Sequence, residues 1–166
     1  RTNDVVRAIA EAGRDDVALY TGNDDSIIVD LLTAFPVTGG GQATTRRIVG
    51  GLLGQWAVWT RTAVELLERV KAADAVASLD RAWLTEAAAL TDANAAVFDA
   101  ANAFAGCIPG IHEVLRRQGL LRGTWCLDVH EQLSTGQGAE LDRVIQRYPF
   151  LTDDAFVREH LDAWLR

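Results

Sequence analysis

The chain has 166 residues, 49% hydrophobic and 23% charged with only three prolines, which excludes disorder and low-complexity repeats. A globular unit of this size buries roughly 70% of its unfolded surface without a disulfide or metal staple. Sixteen basic against 23 acidic residues give a net charge of −7, and no basic run exceeds Arg46-Arg47 or Arg116-Arg117, so nucleic acid is not an expected partner.

Cys107 and Cys126 stand too far apart for a CxxC motif and are too few for a disulfide scaffold, which points to a reduced, cytoplasmic setting. Gly, Gln, Thr, Asp and Asn interrupt the longest apolar stretches, so no membrane span is expected. The chain opens on Arg1, has no Met and holds one lysine, Lys71; these oddities suggest a piece of a longer protein.

Val5, Val6, Ile9 and Ala10 recur at helical spacing, and Gly13 sits where a left-handed cap belongs, predicting a helix over 3–12. Val17-Ala18-Leu19-Tyr20 is a short apolar run between acidic and turn residues, the pattern of a buried strand. Residues 26–34 return to helix, with Asp24, Asp25 or Ser26 as the cap. Residues 36–45, with three consecutive glycines, read as a loop. Gln55-Trp56-Ala57-Val58-Trp59 is a second candidate strand. Only helices are expected after it: 62 to about 76, 79 to about 104, 108–118 closed by Gly119, a capping-box helix from Ser134 and Gln137 to Tyr148, and a last one opening at Thr152 or Asp153. Two buried strands leave unpaired backbone rows, so their neighbours are expected from another copy or from βα units outside this sequence.

These residues resemble those of the dihydrodipicolinate synthase and N-acetylneuraminate lyase superfamily. Leu19-Tyr20-Thr21-Gly22-Asn23-Asp24 is similar to the turn after its strand seven, and Gly51-Leu52-Leu53-Gly54-Gln55-Trp56-Ala57-Val58 to its strand-eight stretch. Asn102 to Gly119, with Pro109, lies where that superfamily has an Asn-Pro segment, and Trp125-Cys126-Leu127-Asp128 precedes a final helix, as there. The whole looks closest to a bacterial dihydrodipicolinate synthase-like branch and covers the chain from about Val17 onward. The implied fold is α/β: the C-terminal portion of a (β/α)8 barrel, with barrel units over 1–60 and the last barrel helix plus a helical extension over 61–166. The implied activity is that of a class I aldolase or lyase acting on a 2-oxo acid or sugar acid through a lysine Schiff base. That lysine is expected outside this segment, since Lys71 falls on the helix after strand eight. His112 stands in place of the family's usual lysine, and the 36–45 loop is an insertion.

By the same carry-over Gly22, Asn23 and Asp24 stand at the catalytic end of strand seven, and Gln55 and Trp56 near the substrate carboxylate. The plainer reading is that Gly22 and Asn23 form a turn, Asp24 and Asp25 cap a helix, and Trp56 packs in the core. His112-Glu113 and Asp128 to Glu131 fit no zinc spacing, GGLLG lacks the dinucleotide-binding order, and no GxSxG elbow occurs, so neither metal nor cofactor is expected. Apolar positions at Leu84, Leu90, Val97 and Phe98 suggest a homo-oligomer. A different class of function, a non-catalytic helical ligand-binding or interaction domain, suits the same long helices.

Overall fold

A computed structural model describes residues 1–39, 41–76 and 78–166. The fold is α/β. Helix α1 (Thr2–Glu11) precedes strand β1 (Leu19–Thr21), helix α2 (Ile27–Leu32) and the hairpin β2 (Ala34–Gly39) and β3 (Gln42–Gly51). A 3-10 turn (Gly54–Ala57) leads into α3 (Thr60–Ala73), α4 (Ala82–Val97), α5 (Cys107–Arg117), α6 (Gln137–Arg147) and α7 (Asp154–Trp164). Among the described residues no helix is long and apolar enough to cross a membrane.

The sheet order is β1-β3-β2, with β1 parallel and β2 antiparallel to β3. Leu19 faces Ile48, Tyr20 faces Gly50 and Thr21 faces Gly51. β2 pairs with β3 from Gly39–Gln42 up to Ala34–Arg47 and no further. β1 therefore has no neighbour on its outer side, and Ile48–Gly51 have none opposite β1, among the described residues.

Two expectations are corrected here. Residues 55–59 are not a strand; the parallel partner of β1 is the end of β3, several residues earlier, and the chain then turns through Gly54–Ala57. Gly54 has the Phe98 ring 1.8 Å from where its Cβ would stand, and Gln55 and Trp59 are buried against helices, so this segment packs into the helical layer. The described part of 36–45 is not a loop: residues 36–39 and 42–45 are paired strands of the β2–β3 hairpin, in which Val37 faces Thr44 and Pro36 faces Thr45, and position 40 lies outside the described residues. Pro36 forgoes one donor, which an edge strand tolerates.

The helices follow their start and stop residues. Gly13 takes φ +62° and Arg14 N–H donates to Ile9 C=O at 3.1 Å, the six-to-one closure of a left-handed cap. Gly119, at φ +83°, ends α5 in the same region. Half of the expected capping box forms: the Gln137 Oε1 accepts from Ser134 N–H at 3.2 Å, while the Ser134 hydroxyl turns to Asp99 Oδ2 at 2.5 Å. The predicted helix over 79–104 breaks after Val97, because Asp99 takes φ +57° and collects hydrogen bonds from Ser134, Asn102 and Gly106 N–H.

One apolar core joins sheet and helices, running from Ile27, Ile28 and Leu31 on α2 through Val58 and Leu66 to Leu90, Val97, Val114 and Leu141. Leu90 and Val97 are thus consumed inside the chain, and Leu84 is left exposed. α5 approaches α4 so closely that a Cβ on Gly110 would stand 2.0 Å from the Val97 carbonyl oxygen. One helical turn on, the buried Glu113 pairs with Arg116 at 2.7 Å and Arg117 at 2.8 Å, and Arg117 reaches Asp142 on α6.

Gly110→Ala is expected to cost about 2–3 kcal/mol, since a backbone carbonyl cannot step aside. Gly138→Ala, where nothing lies within 4 Å, should gain about 0.5 kcal/mol from helix propensity; chemical denaturation of both variants checks the pair. The Arg116 guanidinium, opposed by burial and helped by Arg117, holds the Glu113 carboxyl down at about 2 from an ordinary 4.5. A depressed carboxyl stabilises the fold fully above its unfolded value and stops doing so as pH falls through the folded one. Stability should therefore drop between pH 4.5 and 2 by on the order of 2 kcal/mol from this group, allowing for solvent at the arginines. Glu113→Gln should be weaker at pH 7 and lose that part of the acid dependence, read from urea midpoints across the range.

Candidate functional site

Strand β1 ends in a turn fixed by side chains. The buried Thr21 hydroxyl donates to Asp30 Oδ2 at 2.7 Å and accepts from Asn23 N–H at 3.2 Å. Ser26 N–H donates to Asn23 C=O at 3.2 Å, and Asn23 Nδ2 to the Ser26 hydroxyl at 3.3 Å. Gly22 and Asn23 are exposed, and Asp24 is half-buried. Neither Asp24 nor Asp25 caps α2, whose first residue follows Ser26 with no side-chain cap bond. The turn lies against the end of β3, where Leu52 N–H donates to Thr21 C=O at 2.8 Å.

Helix α4 closes over this end of the sheet. Asn94, buried within an Ala- and Leu-rich helix, donates from Nδ2 to Asp24 Oδ2 and accepts from Gln55 N–H at Oδ1, both at 3.4 Å. Thr91 donates to the Asp25 carbonyl at 3.1 Å. The five expected residues therefore form two groups joined by Asn94: Gly22, Asn23 and Asp24 on the turn, Gln55 and Trp56 on the 3-10 segment behind it.

Gln55 and Trp56 line a cavity of about 80 Å³ between the 3-10 segment, α3, α4 and Phe150. Trp59, Thr62, Arg69 and Glu86 contribute to its walls. Arg69 and Glu86 form a two-pronged ion pair at 2.8 and 2.6 Å, with the guanidinium 4.8 Å above the Trp83 ring. This pair holds the Arg69 pKa up. Gln55 is 1% exposed and its Oε1 has no partner; Trp59 is 2% exposed and its Nε1 has none either. Trp59 also sits at φ +55°, a region that costs a bulky residue on the order of 1–3 kcal/mol.

Asn94 and Trp59 were not legible as site residues. The one signal for Asn94 was an amide on the apolar stretch of an otherwise Ala- and Leu-rich helix; Trp59 gave none beyond being aromatic.

Other reactive side chains gather less. Lys71 pairs with Glu68 at 2.6 Å on an exposed face of α3. His112 Nδ1 lies 3.1 Å from the Trp125 carbonyl, so it carries a proton there, and 3.8 Å from Cys126 Sγ. Burial, and then Glu131, push both thiols up, which keeps them protonated. Among the described residues no group of three or more His, Cys, Asp or Glu is arranged to hold a metal ion.

Asn94→Ala removes one acceptor and one donor between two elements, leaving Gln55 N–H unpaired in the interior. The expected loss is about 1–2 kcal/mol, with faster amide exchange at Gln55 in hydrogen-exchange measurements. Comparisons with protein-family models, with curated proteins and with solved structures find no match for this chain, so a function assigned to it rests on its own residues.

Proposed function

We propose that this chain is the C-terminal portion of a (β/α)8 barrel, with β1 and the Ile48–Gly51 end of β3 as its seventh and eighth strands. The observation that carries this reading is the short parallel pair left open on both sides among the described residues: β1 on its outer edge, Ile48–Gly51 opposite it. Parallel strands are ordinarily covered and paired on both sides, and a closed barrel supplies a strand at each open edge. Exposed Tyr20, Val49 and Leu52 at the same place give such strands apolar surface to cover.

In a barrel the carboxyl ends of the strands carry the chemistry. Both stretches proposed for substrate leave the sheet at that end, Gly22, Asn23 and Asp24 after β1, and Gln55 and Trp56 after β3. The proposed reaction is that of an aldolase or lyase acting on a 2-oxo acid or sugar acid through a lysine imine, with this segment binding substrate rather than supplying the nucleophile. Lys71, exposed and paired with Glu68, is poorly placed for an imine, so the reactive lysine is assigned to a strand outside these residues. The protein is proposed to assemble as a homo-oligomer without metal or cofactor.

Borohydride reduction of the full-length polypeptide with pyruvate tests this. A covalent adduct on a lysine other than Lys71 is the expected result. No adduct with any 2-oxo acid overturns the imine chemistry and favours the non-catalytic ligand-binding alternative.

A further inference from the structure

We propose that the Tyr20 phenol is a substrate contact, standing inside the barrel at the carboxyl end of the strands and donating a hydrogen bond to an oxygen of the acid bound there. The inference rests on the barrel reading and adds a residue that neither proposed substrate stretch contains.

Successive residues of a strand point to opposite faces, and paired residues of neighbouring strands share a face. One face of the parallel pair is covered by α2. Leu19 and its partner Ile48 pack there into the core that holds Ile27 and Ile28. Thr21 and its partner Gly51 return to the same face: the Thr21 hydroxyl donates to Asp30 on α2, and a Cβ on Gly51 would stand 2.9 Å from Ile27 Cδ1. Tyr20 and its partner Gly50 therefore look the other way. The register slips between Leu19 and Tyr20, which leaves Val49 as an extra residue between the Ile48 and Gly50 pairings. Tyr20 is 61% exposed and Val49 52%, so among the described residues nothing covers this side.

The helices of a barrel form its outer ring, so a strand face without a helix is the inner one. Tyr20 is the next-to-last residue of β1, at the end where barrel sites are built. Gly50 makes room for it. A Cβ at Gly50 would overlap the Tyr20 ring at Cζ and at the hydroxyl oxygen, so the phenol lies across β3 where a side chain would otherwise stand. Closed inside a barrel the hydroxyl loses water, and a buried tyrosine hydroxyl needs a hydrogen-bond partner. Val49 and Gly50 beside it have no polar side chain to offer. A bound acid does, because its oxygens accept what the phenol O–H donates.

Calorimetric titration of the full-length polypeptide with pyruvate, in the absence of borohydride, reads the contact. Tyr20→Phe keeps the ring and removes the hydroxyl. Gly50→Ala keeps the hydroxyl and displaces it, because the exposed ring has to swing away from the new methyl. Each variant is expected to bind pyruvate ten-fold or more weakly, with a urea midpoint close to that of the unaltered protein. If Gly50→Ala lowers that midpoint, Tyr20→Phe alone decides. Unaltered affinity in a variant that keeps its midpoint overturns the proposal, as does a full-length protein that binds no pyruvate. The imine test separates this inference from the reading beneath it. A borohydride adduct together with unchanged binding in Tyr20→Phe removes Tyr20 from the site and leaves the aldolase reading, whereas weakened binding without any adduct keeps the contact and removes the imine chemistry.

Discussion

The carboxyl end of the sheet is held to the helices by how one buried amide divides its hydrogen bonds. Asn94 on α4 donates a hydrogen bond to Asp24, beyond the end of β1, and accepts one from the backbone N–H of Gln55, beyond the end of β3. The parallel ladder of β1 and β3 is only three residues long on its β1 side, too short to fix the segments that leave it. Asn94 and the Thr91 contact to Asp25 do so instead, and they set where the 3-10 turn places Gln55 against α3. An apolar residue at this position would leave the Gln55 N–H without an acceptor.

The sequence was most legible where one local rule decides the outcome. α1 ends where Gly13 allows it, α5 where Gly119 does, and Gln137 reaches back to Ser134 as a capping box asks. It was least legible where one residue pattern fits two environments. Gln55-Trp56-Ala57-Val58-Trp59 has the apolar density of a buried strand, but a buried strand and a buried turn against helices share that density. What separates them is Gly54, whose missing side chain admits Phe98 from α4, a contact distant in sequence. The 36–45 stretch misled in the opposite sense. Gly39 closes β2 and Gly41, at φ +81°, precedes β3, while Val37, Thr38, Thr44 and Thr45 are β-branched residues of the strands themselves.

The site was legible in the same uneven way. Gly22, Asn23 and Asp24 were placed at a strand end because turn residues follow an apolar run, and β1 ends there. That a carboxylate so near a helix start would cap it was a sound local expectation. Asn94 overrides it by drawing Asp24 toward α4, and Ser26 holds the capping position without using its hydroxyl on the helix. Trp59 and Arg69 lie on segments that are ordinary in sequence, and only the tertiary packing brings both to the cavity that Gln55 lines.

Two residues in the left-handed region show two ways in which the chain offsets backbone strain. Asp99 is buried at φ +57°, and burial alone would raise its pKa, yet hydrogen bonds from Ser134, Asn102 and the Gly106 N–H bring it below the ordinary carboxylate value. Every oxygen of that carboxylate is occupied, and the neighbouring Gln137 amide donates to the Gly106 and Val97 carbonyls at 2.9 and 3.2 Å. The strain at Asp99 thus has its compensation inside the chain: the bend lets α5 cross α4 at Gly110. Trp59 has the same backbone and nearly the same burial, but its Nε1 meets no acceptor. At the second bend the compensation is packing instead: Trp59 lies in the same apolar core as Val58 and Leu66, and its carbonyl accepts from the Thr62 hydroxyl at 2.7 Å.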